Sequence, residues 1–272
     1  MPKLLDINEF CKDLKEVSTE KIMNKKRFHP NGLFSEQIFG PLKNYTCQCG
    51  TYYGISKAGG TCSTCGVDIA NSDERRKRFA KIELPIPVIN PLFYDLIMSV
   101  SKVQLRNMID SLLKNEDNVL YLDTNEELVI TKRGYIPVHA QKSWDKLEAV
   151  FELIKYSATK LAQVDRSWRI IKNNIDKAII KSIIVLPPDL RPATKDIEKS
   201  IWKADKINQS YMFILQNKVI MTQTTLNISN SPELFYAYYS KLQKVVNELY
   251  EFIISKLSKK EGLIRKNILG KR

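Results

Sequence analysis

The sequence predicts a mixed fold, mainly α with short strands, in which a metal-stapled module precedes an antiparallel helical hairpin. Three observations predict it. Four of the five cysteines are packed into residues 47–65 in two close pairs. The last third of the chain carries apolar residues at helical spacing. Between these lie short β-branched and aromatic runs bounded by turn residues and prolines, the pattern of strands rather than helices.

Cys47, Cys49, Cys62 and Cys65 form the pattern C-x-C, twelve residues, C-x-x-C. Two such pairs on one short loop can converge four thiolates on a tetrahedral ion, for which Zn²⁺ is the usual occupant. Sulfur then fills every coordination position and leaves none for water, so the site is structural rather than catalytic. Gly50 and Gly66 follow the second member of each pair, where a tight knuckle needs positive φ. The competing readings are an iron–sulfur cluster on the same ligands and a set of unconnected buried or redox cysteines.

Along the chain, Leu5, Phe10, Leu14 and Val17 suggest a helix within Leu4 to Asn24. Phe28 to Gly66 reads as loops and short strands organised by the metal, followed by a basic cluster from Arg75 to Phe79. Pro85, Pro87 and Pro91 enforce an extended path. A helix is expected from Leu92 to Leu113, then strands at Val119–Leu122 and Leu128–Ile130 around Asp123 to Asn125. Helices at Ser143–Val164 and Arg166–Lys181 precede a short buried strand from Ile183 to Leu186. One hairpin arm is expected at Lys199–Asn217. The other, Leu234–Leu257, has Phe235, Tyr239, Leu242, Val246, Leu249, Ile253 and Leu257 stepping by four and three. Either both arms project as a hairpin or both fold into the core. The expected divisions are 1–92 with the metal module at 42–67, a helical body 93–198, the hairpin 199–257 and a basic tail 258–272.

A chain of 272 residues can bury a sizeable core, and 43% hydrophobic residues argue against disorder. Its 43 Lys and Arg against 30 Asp and Glu give +13, which favours an anionic partner, nucleic acid first. From Lys256 onward there are seven cations and one acid, Glu261. No apolar run approaches the ~20 residues of a membrane helix, and no secretory signal opens the chain. Metal-type cysteines fit a reducing interior. The expectation is a soluble intracellular protein with no membrane partner.

Three blocks extend this reading. Gly32-Leu33-Phe34-Ser35-Glu36-Gln37-Ile38-Phe39-Gly40-Pro41 precedes the cysteines, with Arg75-Arg76 and Ile82-Glu83-Leu84 after them. Val185-Leu186-Pro187-Pro188-Asp189-Leu190-Arg191-Pro192 and Arg265-Lys266-Asn267-Ile268-Leu269-Gly270-Lys271-Arg272 follow in order. Together they resemble the N-terminal part of the largest (beta-prime) subunit of multisubunit DNA-dependent RNA polymerases. The resemblance implies a clamp over the DNA cleft, a zinc module near upstream nucleic acid, and a hairpin that docks a sigma-like promoter-specificity factor. It places Arg265, Lys271 and Arg272 beside the template strand, where phosphate contacts would position it without reading sequence.

The resemblance also has gaps. The catalytic Mg²⁺ of such enzymes needs an Asp-x-Asp-x-Asp cluster, and none occurs in this chain. The chain is therefore expected to be a noncatalytic fragment, a split subunit of the kind large bacteriophages encode. Its implied partners are a C-terminal beta-prime fragment that holds Mg²⁺, a beta-type subunit or its fragments, DNA template and RNA. The host cytoplasm is the expected location, with virion packaging a second option. The lid loop is expected to shrink to Ala193–Glu198 and the rudder to Ser258–Glu261. A stand-alone zinc-containing transcription regulator that binds nucleic acid is the alternative.

Overall fold

The computed structural model describes residues 5–91, 93, 94, 97, 103–114, 118–163, 165–196, 201–225 and 232–254. Mainly helical with short strands, it has the predicted class. The chain divides into two compact units. The first takes the described residues of Met1–Pro85, Lys181–Ile220 and Glu248–Arg272; the second takes those of Ile86–Ile180 and Met221–Asn247.

In the first unit, α1 (Ile7–Cys11) is far shorter than the opening helix expected from spacing. Asp6 caps it, its Oδ1 accepting from the N–H groups of Asn8 at 3.0 Å and Glu9 at 3.2 Å. Beyond it the chain leaves the helix, and Val17, fully buried, donates its N–H to Lys81 O at 2.8 Å. The periodicity of Leu14 and Val17 thus reports a bridge to a strand, not another helical turn. The short strands β1 (Met23–Asn24) and β2 (Arg27–Phe28) pair antiparallel. α2 (Glu36–Phe39) follows, capped by Ser35, whose Oγ accepts from Ile38 N at 3.2 Å.

β3 (Ala80–Ile89) and β7 (Ile179–Val185) form a two-stranded sheet. Ala80, Ile82, Ile86 and Val88 are buried at period two, while Pro85 and Pro87 fall on the opposite face. Pro85 and Pro87 are extended as expected, within one strand that runs to Ile89, whereas Pro91 is helical. The helix expected to reach Lys181 ends much earlier, because Ile179, Ile180, Ile183 and Ile184 are β-branched and belong to β7.

The second unit holds a three-stranded antiparallel sheet in the order β5-β4-β6. β4 (Asn118–Leu122) and β5 (Leu128–Lys132) match the two expected strands. Asp123 closes their turn, its Oδ1 accepting from Asn125 N at 2.9 Å and Glu127 N at 2.7 Å. β6 (Lys142–Asp145) was not expected; Ser143 and Trp144 belong to it rather than to a helix. Alongside are α3 (Val103–Lys114), α4 (Lys146–Leu161) and α5 (Arg166–Asn173). Ile109, Leu112, Val150, Leu153, Ile154, Trp168 and Ile171 make up their core.

The hairpin arms are α6 (Lys206–Thr225) and α7 (Pro232–Ile254). α6 begins and ends later than expected. Residues 201–204 belong instead to a second β-hairpin, β8 (Ala193–Asp196) with β9 (Ile201–Ala204). The segment expected to be a shortened loop is thus partly strand. Tyr211, early in α6, and Tyr250, late in α7, are both buried; burial, and then the nearby Tyr211, raises the pKa of Tyr250, as the antiparallel pairing of the two arms brings about. Tyr239, Leu242, Val246 and Leu249 of the predicted seam are buried. Among the described residues, no helix is long and apolar enough to cross a membrane.

Candidate metal centre

The two cysteine knuckles repeat one local design. In the first, Cys47 donates its N–H to Tyr52 O at 3.1 Å, and Gly50 N returns to Cys47 O at 3.0 Å. In the second, Cys62 N donates to Val67 O at 2.9 Å, and Gly66 N returns to Cys62 O at 2.8 Å. Both glycines take positive φ, +78° and +66°, as the knuckles demand. Each knuckle closes on an antiparallel bridge, Thr46 to Tyr53 and Thr61 to Asp68.

These turns bring the four Sγ atoms within 4.8 Å of one another. Cys47 and Cys49 are 3.4 Å apart, Cys49 and Cys62 3.6 Å. Four thiolates about 2.3 Å from a tetrahedral Zn²⁺ would stand about 3.8 Å from each other. The donor set and its spacing therefore fit such an ion. No disulfide competes; all five cysteines are free thiols. Without a metal the thiols are unequal. The hydroxyl and backbone N–H of Thr51 pull Cys49 down to about 6, while burial pushes Cys65 up to about 12. At Cys62 burial opposes ionisation, but N–H groups of Cys65 and Thr64 outweigh it and lower the pKa. A cation would convert all four to thiolates.

Of the tyrosines in this module, Tyr52 packs against the cysteine cluster, whereas Tyr53 is 78% exposed. The motif preceding the cysteines holds the module in place. Gln37 of α2 donates Nε2 to Cys65 O at 2.6 Å, and Lys15 donates to Gln37 O at 2.7 Å. A Cβ on Gly66 would meet that same Gln37 amide at 3.4 Å.

Two arginines tie the separated sequence blocks together, and sequence reading gave neither a buried role. Arg191 is fully buried. Its guanidinium donates to Leu33 O at 2.6 Å and Asn208 Oδ1 at 2.8 Å, and its Nε donates to Leu186 O at 2.7 Å. The rings of Phe34, Phe39 and Tyr211 lie 5.2, 5.3 and 5.5 Å from its Cζ. Burial pulls its pKa down to about 10, so it stays charged at neutral pH. Arg75 is 3% exposed and donates to Gly40 O at 2.8 Å and Phe34 O at 3.2 Å, with Asp189 at 3.8 Å. Within the basic cluster, Arg78 is held by Asp68 and Glu74. Only Arg76 and Lys77 remain exposed there. No local pattern signals this: the arginines serve the carbonyls of Leu33, Phe34 and Gly40, which only the folded chain brings to them.

Arg265, Lys271 and Arg272 lie outside the described residues, as does the Ser258–Glu261 segment.

No model of a known protein family matches the chain. Curated relatives do. A "DNA-directed RNA polymerase subunit beta'" of Neorickettsia sennetsu is 27% identical, covering 94% of this chain and 23% of the relative. The same subunit of Syntrophobacter fumaroxidans is 26% identical, with 94% and 23% covered, and that of Chlamydia felis 25%, with 94% and 22%. The chain is a distant homologue of bacterial beta-prime subunits. It spans less than a quarter of the length of these relatives. The Neorickettsia alignment runs over 316 residues against 272 in this chain, so the matched region is longer in the relative.

Proposed function

We propose that this chain is a noncatalytic N-terminal clamp portion of the beta-prime subunit of a DNA-directed RNA polymerase. The alignment with beta-prime subunits along 94% of the chain carries this reading. In it, Cys47, Cys49, Cys62 and Cys65 hold a structural Zn²⁺, which contributes on the order of 10 kcal/mol to the local fold. Arg191 ties the turn that precedes that module, at Leu33, to Asn208 near the start of α6. The hairpin, residues 199–257, offers a docking surface to a sigma-like factor, while 1–92 and 93–198 form the clamp body around DNA. The tail, 258–272, leads toward the template, where Arg265, Lys271 and Arg272 contact phosphates. Catalytic Mg²⁺ is held by aspartates of a C-terminal beta-prime segment, since this sequence contains no Asp-x-Asp-x-Asp cluster. That segment, a beta-type subunit, DNA and RNA complete the assembly. A divided subunit of a large bacteriophage is its proposed source.

Co-expression with candidate polymerase subunits tests the proposal. The chain should co-purify in a complex that makes RNA from nucleoside triphosphates and Mg²⁺, and alone it should make none. A chain that ignores those subunits yet binds DNA as a monodisperse protein would be the stand-alone regulator instead. Cys62→Ser should lose the zinc found by elemental analysis in the parent protein; full retention would refute the ligand assignment.

A further inference from the structure

Each cysteine knuckle is tied by one glutamine amide to the same neighbouring stretch of chain. In the first, Gln48, which stands between Cys47 and Cys49, donates Nε2 to Phe28 O at 3.0 Å. In the second, Gln37 donates Nε2 to Cys65 O at 2.6 Å. Phe28 and Gln37 bound residues 28–37, and that stretch is itself held from several sides. The Phe28 ring stacks on Phe34 with centroids 5.6 Å apart, Arg75 donates to Phe34 O, and Lys15 donates to Gln37 O.

The loop that joins the knuckles supplies no comparable stiffness. Residues 50–61 are mostly exposed, and Gly50, Gly54 and Gly59 take positive φ. Yet the ends of this loop bring Cys49 Sγ and Cys62 Sγ to 3.6 Å. Closing a flexible loop costs conformational entropy, which either the metal or the fold must offset. A backbone bond from Tyr45 N to Ala70 O also joins the two halves, but it lies outside the span of the four ligands. The two glutamines act within that span, one beside each pair of sulfurs.

We infer that Gln37 is a positioning residue of the metal centre, with Gln48 as its counterpart. The two amides clamp both knuckles to residues 28–37 and hold the four thiols at ligand spacing independently of any ion, so that metal binding does not have to close the loop. This rests on the zinc reading above and adds that metal affinity is set partly by a residue of the Gly32–Pro41 block. Gln37 bonds a carbonyl and not a sulfur, so it governs where Cys65 sits and leaves the electronic character of the thiolate unchanged.

The test uses the full chain, reduced and stripped of metal. It is titrated with Co²⁺, whose charge-transfer and visible bands report a tetrahedral tetrathiolate site, and then competed with Zn²⁺. Gln37→Leu and Gln48→Leu should each weaken Zn²⁺ binding by about 10-fold, the low end for groups that support metal ligands. The Co²⁺ bands at saturation should keep their positions. Gln37→Glu should bind more weakly than Gln37→Leu, because a carboxylate would face Cys65 O and a net-negative thiolate site. A side chain needed only for its shape would rank those two variants the other way. The double variant, Gln37→Leu with Gln48→Leu, should match the weaker single variant within about twofold, since releasing one knuckle already frees the loop. Independent supports would instead multiply to about 100-fold. Both glutamines are only half-buried, and if one Leu variant fails to fold, the other decides by the same titration. Parent-like affinity in the Leu variants, the reversed ranking, shifted Co²⁺ bands or multiplying losses would overturn this inference and leave the zinc reading intact. A parent chain that gives no tetrathiolate spectrum would overturn both.

Discussion

Arg191 shows how much one side chain carries here. Its charge is buried against carbonyls, an amide oxygen and three rings, with no carboxylate hydrogen-bonded to it among the described residues. Arg191→Met would leave Leu33 O, Leu186 O and Asn208 without their donor, and each orphaned acceptor is costly in a dry interior. We expect a loss of about 3 kcal/mol or more, read from urea unfolding midpoints. Asp189→Asn should cost under about 1 kcal/mol, because its partner is 3.8 Å away and its side chain is 43% exposed. Cys11 gives a pH prediction. Burial raises its thiol from 9.0 to about 11, with Lys81 pulling weakly the other way. Its contribution is therefore fully present below pH 9 and lost as pH rises through 11, because the unfolded chain ionises first. Cys11→Val should lose about 2 kcal/mol less between those values than the parent chain does. Below pH 9 iodoacetamide should not reach the native thiol, which mass spectrometry would check. The knuckle glycines were legible in the sequence because a C-x-x-C turn fixes φ locally. The burial of Arg191 and Arg75 was not, since it depends in part on Leu33, Phe34 and Gly40, which lie more than thirty positions from the arginines they meet.

At the scale of elements, polar residues again mark what periodicity missed. Gln243 sits on the buried side of α7 among Tyr239, Leu242 and Val246. Its amide pairs with one residue at the end of β3, accepting from Ile89 N and donating to Ile89 O, both at 2.9 Å. The side chain substitutes there for a neighbouring strand. Gln243→Leu should cost about 2–4 kcal/mol, because two buried backbone groups lose their partners. Gln243→Glu should recover only part of that, since a carboxylate accepts from Ile89 N but cannot donate to Ile89 O; thermal melts would rank the three proteins. The seam of α7 was readable because helices expose a 3.6-residue repeat in the sequence itself. β6 and β9 were not, for each is four residues long and owes its state to a partner strand.

For the whole molecule, the two units are discontinuous in sequence, with residues near 85, 181, 221 and 248 passing the chain between them. If the clamp reading holds, DNA affinity of the assembled complex falls with salt. Replacing Arg265, Lys271 and Arg272 by Ala together should flatten the slope of log affinity against log salt by about 2–3, at ~0.9 per phosphate contact. An unchanged slope in a filter-binding titration would place the phosphate contacts elsewhere. The amino-acid sequence by itself determined the four-thiol cluster, the fold class and the helical seam, because each follows from spacing within a few residues. The tertiary structure alone decided which basic residues are internal struts and where the helices stop. Those depend on desolvation and hydrogen bonding between segments far apart in the chain, and no local pattern encodes them.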